Sequence, residues 1–342
     1  MFLALKEIKH EKLRYGLIIA MIVLISYLIF ILTSLALGLA QENTAAIDGW
    51  KIRSAVLNKD SDVSLRQSLL TTDQVNKLTK DKNNAVIAET SIVAKTKGKA
   101  KQASTFIGLD NSQFISKDLK LTSGHKPEND RQVVVDDSFK QYGYKLNDKL
   151  TINSDSTAYT IVGFTHNAKL NISPIVYGTI PTWQKLRGMG NAFGGSAVVS
   201  KQANIDNSDK NLKVYTVTQV INKLPGYTAQ NSTFIFMIGF LMIISLIIIA
   251  VFLYIITIQK LGNYAVLRAQ GSPAKLLVGA TFSQSLLLTI IGLVISLILT
   301  AATALSIPSS VPMAFNINFM TIVSIGLIFM AILGSLIQYV LY

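Results

Sequence analysis

Residues 15–40 read YGLIIAMIVLISYLIFILTSLALGLA, 26 consecutive positions without an Asp, Glu, Lys, Arg or His. A helix needs about 20 mostly apolar residues to cross the hydrocarbon core of a bilayer, so this run is a membrane span. Its apolar part is roughly twice the length of an export-signal core, and the Leu35–Ala40 end is a weak cleavage match. It therefore reads as an uncleaved anchor. Three further apolar runs follow at 233–258, about 276–305 and about 318–342. The chain is read as a four-helix membrane protein carrying a large insert, residues 41–231, between its first and second spans.

The charges orient the spans. Lys6, Lys9, Lys12 and Arg14 lie in the segment 1–14 before the first span, and Lys260, Arg268 and Lys275 lie in the segment 259–275 between the second and third. Basic residues collect on the cytoplasmic side, which predicts both termini inside and residues 41–231 and 306–317 outside the plasma membrane. Pro308 and Pro312 end the third helix and turn the chain at its outer end.

Composition excludes several classes. Half of the 342 residues are hydrophobic and only 15% are charged. The net charge of +13 would suggest nucleic acid in a soluble protein, but the bases are scattered singly, so no nucleic-acid partner is expected. There is no cysteine, hence no disulfide and no thiolate site, and the insert must rely on an ordinary core. The insert holds 25 Lys and Arg against 17 Asp and Glu. His10, His125 and His166 form no paired motif, so no structural metal is expected.

About 190 residues between spans one and two suffice for a folded domain. Apolar, β-branched runs at 132–135, 149–153, 159–164, 196–200 and 213–217 predict strands, while 64–80 and 136–142 predict helices, giving an extracellular α+β domain. Residues 96–101 and 204–211 read as exposed loops, the second separating the last strand from the sheet. Residues 218–224 read as a helix broken by Pro225-Gly226 before span two, and span one is expected to continue helically through Gln41 and Glu42 toward Trp50.

No G-x-x-x-x-G-K-[ST] loop is present to cradle a nucleotide, and no span carries an ionisable residue at its centre of the kind an ion-coupled carrier needs. The chain is therefore not expected to be an enzyme, and any driving force must come from a separate ATPase. The segment between spans two and three reads QKLGNYAVLRAQGS at 259–272. Tyr264, Val266 and Leu267 offer apolar contacts, Arg268 a partner for a carboxylate, and Gly271 a helix stop. Taken alone, the same residues also suit a basic cytoplasmic turn.

Ala265-Val266-Leu267-Arg268-Ala269-Gln270-Gly271 resembles the A-V-L-[RK]-A-x-G helix with which FtsX/MacB-type (type VII) ABC transporter permeases dock on their ATPase. The order of spans, insert and motif resembles that family over the whole chain, and the segment with Pro273 is most similar to Gram-positive haem-exporting permeases. Asn263 departs from the acid that many members carry there. The resemblance implies two ATPase copies binding ATP and Mg, a permease homodimer in contact with membrane lipid, no permanently bound cofactor, and haem as a substrate squeezed outward by mechanotransmission. Candidate haem or substrate contacts are Glu42, Lys51, Arg53, Tyr177 after a Pro174 turn, Tyr227 and Met237. Small residues at Ser34, Gly38, Ala36 and Ala40 would permit close helix contact in the dimer. Export of an antimicrobial peptide or other amphiphile, and activation of a cell-wall hydrolase without transport, are the alternatives.

Overall fold

A computed structural model describes residues 12–271, 273–308 and 311–340. Most of the leader expected at 1–14, Ser272 between the second and third spans, two positions of the loop between the third and fourth, and the last two residues lie outside the described residues. The chain divides into two compact units, one formed by Met1–Leu39 with Gln230–Tyr342 and the other by Ala40–Ala229.

The first unit is helical. α1 (Lys12–Trp50) runs unbroken past the end of the apolar stretch, as expected. Four helical segments among the described residues are long and apolar enough to cross a membrane: within α1, within α6 (Tyr227–Ala269), within α7 (Ala274–Ser306) and within α8 (Ile317–Val340). Two apolar clusters bind them. One gathers Tyr15, Ile18 and Ile22 of α1 with Ile249, Leu288 and Ala331, and the other gathers Ile29 and Phe30 with Leu293, Met320, Val323 and Leu327.

With lipid as the solvent, such helices are held by close packing and buried hydrogen bonds. Gly292 lets α7 approach α1 so closely that an added Cβ would lie 2.5 Å from Ile22 Cγ2. Tyr27 Oη and Thr303 Oγ1 lie 2.8 Å apart. The Ser34 and Gly38 face, expected to serve a dimer, is instead occupied within the chain. The Ser34 carbonyl accepts from Ala314 N–H at 3.0 Å, and a Cβ on Gly38 would meet the Pro312 carbonyl oxygen at 2.2 Å.

The second unit is an α+β domain. Its strands are β1 (Ser54–Asn58), β2 (Leu70–Thr71), β3 (Asn84–Lys95), β4 (Gln102–Leu109), β5 (Leu121–Gly124), β6 (Gln132–Asp136), β7 (Lys149–Ile152), β8 (Ala158–Thr165), β9 (Lys169–Leu170), β10 (Ser173–Thr179), β11 (Phe193–Gly195), β12 (Ala197–Ser200) and β13 (Leu212–Thr216). Among the described residues, eleven form one mixed sheet with a main path β13-β1-β12-β3-β4-β10-β6-β8-β5, and β2 pairs with β11. β10 is parallel to β4, and β6 to β8. Alternation along β3 sends Ala85 and Ile87 into one core cluster and Ala88, Ile92 and Ala94 into another.

Five strands match the sequence reading; β1, β3, β4 and β10 did not announce themselves. β3 interrupts its apolar residues with Glu89, Thr90 and Ser91, and β10 carries Pro174, which a strand tolerates near its start. Pro174 therefore stands in a strand and not in a turn. The helix expected over 64–80 shrinks to α2 (Thr72–Leu78), because Thr71 and Gln74 form a reciprocal capping box and Leu70–Thr71 is claimed by β11. Asp137–Tyr142 is a 3₁₀ helix. The loop 204–211 does not detach the last strand: β13 pairs with β1 from Ser54↔Thr216 to Asn58↔Leu212. Short helices α3 (Phe114–Asp118), α4 (Ile180–Arg187) and α5 (Val217–Asn222) complete the unit.

Candidate functional site

The last turns of α1 belong to the core of the α+β domain. Ala46, Ile47 and Trp50 are buried in one cluster with Ile107 of β4 and with Ile175 and Tyr177 of β10. Trp50 Nε1 donates to Tyr177 Oη at 3.1 Å. Tyr177 is 2% exposed, and burial pushes its phenol well above the usual tyrosine range, the Trp50 hydrogen bond opposing and Asp136 adding to the shift. An iron-binding phenolate is disfavoured there, so the structure places Tyr177 in the core and not at a ligand-facing surface.

Glu42 lies eight residues before Trp50, about 12 Å along the helix axis. Its carboxylate forms an ion pair with Lys169, both side chains being about four-fifths buried. Beside the pair, Asn171 N–H donates to the Asn43 carbonyl at 3.0 Å and Ile172 N–H to the Glu42 carbonyl at 3.3 Å. Asn171 and Ile172 join β9 to β10, whose register pairs Leu170 with Ser173. Both have positive φ, 52° and 66°. A two-residue hairpin loop of this kind is a type I′ turn, in which Asn-Gly is favoured. A β-branched Ile with left-handed φ costs roughly 1–2 kcal/mol.

The other candidates are dispersed. Lys51 is exposed with φ 54°, and its N–H bonds the Asp48 carbonyl at 3.2 Å as α1 ends. Arg53 is exposed while its backbone links β12 and α5, donating to Ser200 and accepting from Val217. Tyr227 is half-buried at the start of α6, and Met237, 41% exposed, lies ten residues further along the same helix. Tyr177 and Trp50 are brought together, and Glu42 is engaged by Lys169.

At the other end of α6, the expected docking segment is not a separate helix. It continues α6 to Ala269, Gln270 N–H bonding the Val266 carbonyl at 3.1 Å. Gly271 has φ 90°, a left-handed stop, and α7 starts after Pro273. Val266 is 57% exposed. The side chains of Tyr264, Leu267 and Arg268 lie outside the described residues.

One buried group escaped sequence reasoning. Glu89 of β3 is 8% exposed, and burial raises its carboxyl to about 7, against the opposing pull of Arg66 and Arg187. Its backbone is fixed by Trp183 Nε1 on its carbonyl and by its own N–H on Ser196 Oγ, both at 2.9 Å.

Residues 235–342 match the family model described as FtsX-like permease C-terminal, which takes in most of α6, the docking segment, α7 and α8. The resemblance of the chain to the FtsX/MacB-type ABC transporter permeases, read from residues 265–271, is borne out by this match, and the described residues hold four helical segments apolar enough to span a membrane with an α+β domain between the first and second. Over nearly its full length it is similar to a protein of Staphylococcus epidermidis strain RP62A provisionally named hemin transport system permease protein HrtB, with 28% identity over 335 residues, 97% of this chain and 93% of that one. A protein of the same name from Staphylococcus haemolyticus is 23% identical over 347 residues, covering 99% of this chain and 96% of that one. Among solved structures, the periplasmic region of MacB from Actinobacillus actinomycetemcomitans aligns with a TM-score of 0.38 and 15% identity, over 50% of this chain and 92% of that one. The extracellular domain of the transporter YknZ from Gram-positive bacteria aligns with a TM-score of 0.34 and 14% identity, over 46% of this chain and 85% of that one.

Proposed function

We propose that this chain is the permease subunit of an ATP-driven efflux pump that exports haem from the membrane to the outside. The observation that carries this reading is the near-full-length similarity to permeases named for hemin transport. The chain serves as half of a homodimer with two copies of an ABC ATPase, which bind the ATP and Mg. Both termini lie in the cytoplasm, residues 41–231 lie outside, and no cofactor is held permanently.

In this reading ATP-driven closure of the ATPase pair pushes the docking segment Tyr264, Val266, Leu267, Arg268 and Gly271. Because α6 continues through that segment without a break, displacement at its inner end is carried along a rigid rod. Lys51 and Arg53 would meet the haem propionates, with Tyr227, Met237 and Glu42 as candidate contacts to the iron or macrocycle.

The test is a haem titration of the detergent-purified protein followed in the Soret band, repeated with Tyr227→Ala, Met237→Ala and Glu42→Ala. A saturable shift lost in one or two variants supports haem export. A chain that gives no saturable shift is reassigned to export of a peptide or other amphiphile, or to mechanical activation of a cell-wall hydrolase, with the permease class unchanged.

A further inference from the structure

The β9–β10 turn has a feature that its own packing does not explain. Ile172 adopts a left-handed conformation although its side chain is 42% exposed, so burial of that side chain does not offset the strain. Backbone of this kind persists where surrounding contacts over-determine it. Here those contacts are the two N–H groups of the turn, both directed at successive carbonyls of α1, with the Lys169–Glu42 pair alongside.

We propose that this turn is a clip that fastens α1 to the sheet, with Lys169 as its positioning residue, so that residues 42–50 of α1 and the sheet move as one body. The inference rests on the proposed function, adding α1 to α6 as a helix through which ATPase-driven motion is carried. A helix held only by Ala46, Ile47 and Trp50 is gripped over about one turn and could rock about it. The second attachment at Glu42 and Asn43, about 12 Å from Trp50 along the axis, removes both rocking and sliding. The donors of the clip are backbone groups, which a sequence motif does not reveal, while Lys169 supplies the charge that registers the turn on the correct carbonyls.

The experiment uses the full chain with its ATPase in lipid nanodiscs and proteoliposomes, with haem as the probe. Variants are Lys169→Met, Lys169→Arg and the charge exchange Lys169→Glu with Glu42→Lys. In Lys169→Met the Asn171 and Ile172 amides should exchange hydrogen at least tenfold faster (about 1.4 kcal/mol of lost protection), and haem efflux should fall roughly fivefold or more, with ATP hydrolysis retained. Lys169→Arg and the charge exchange should restore both protection and efflux. Unchanged exchange in Lys169→Met overturns the clip. So does a charge exchange that restores amide protection without efflux, because Glu42 is then a substrate contact. Amide exchange needs no substrate, so a chain that moves no haem sinks the haem reading while the exchange result still judges the clip.

Discussion

Trp50 Nε1 lies 3.1 Å from Tyr177 Oη, a hydrogen bond between the last residue of α1 and the middle of β10 within the core of the α+β domain. Both rings are buried. Removing one partner of such a pair leaves the other polar atom desolvated and unsatisfied, which costs about 1–3 kcal/mol. Trp50→Phe and Tyr177→Phe should each lower the thermal stability of the full chain in detergent. The double variant should lose less than the sum of the two. Additive losses would show that the bond contributes nothing of its own.

Glu89 makes stability depend on pH. Its folded-state value of about 7 lies above the ordinary 4.5, so between those values the folded chain keeps a proton that the unfolded chain releases. Stability is therefore full below about 4.5, falls as pH rises through 7, and is flat beyond, a total of about 3 kcal/mol at most. Glu89→Gln should flatten this slope and stabilise the chain at pH 8. Urea unfolding at pH 5.5 and pH 8, followed by Trp fluorescence, measures both. A wild-type chain equally stable at the two values would refute the assignment.

Gly38→Ala should damage the helical unit, because the new methyl would sit 2.2 Å from the Pro312 carbonyl oxygen and no flexible side chain can yield there. Overpacking of this kind costs about 1–3 kcal/mol or more. Gly16→Ala in the same helix meets nothing within 4 Å and should be neutral or stabilising by up to about 1 kcal/mol, as helix propensity dictates. Melting of the two variants by size-exclusion chromatography in detergent compares them directly. Equal behaviour would argue against the seating of residue 312 on α1.

Val266→Asp tests the proposed docking segment without threatening the fold, since Val266 is 57% exposed near the C-terminal end of α6. A charge placed in an apolar contact should weaken ATPase binding at least about tenfold, equivalent to some 1.4 kcal/mol. Thermal stability should stay within about 0.5 kcal/mol of the parent. Pull-down of the ATPase by the tagged permease gives the first quantity. Undiminished capture would remove Val266 from the interface.

Much of the architecture was legible because it depends on sums along the chain. Residues 15–40 exceed the length of a bilayer core whatever surrounds them. The AVLRAQG pattern carried the family, and Gly271 stopped its helix where the sequence placed the stop. Strands such as β6 and β8 declared themselves through dense β-branched residues.

What the sequence could not decide is where residues far apart in the chain meet. Tyr177 looked accessible behind Pro174, yet pairing with β4 and β6 puts it in the core against Trp50. Ser34 and Gly38 looked free for a second copy until residues 312–314 came back onto them. Lys169, Asn171 and Ile172 carried no motif, because two of the three act through backbone N–H groups. The sequence by itself determined the spans and the stop at Gly271, since hydropathy and helix-ending residues act locally and add along the chain. Only the tertiary structure decided which candidate ligands are buried, which helix faces are already taken and how α1 is fastened, since these follow from sheet register and helix packing between positions distant in the chain.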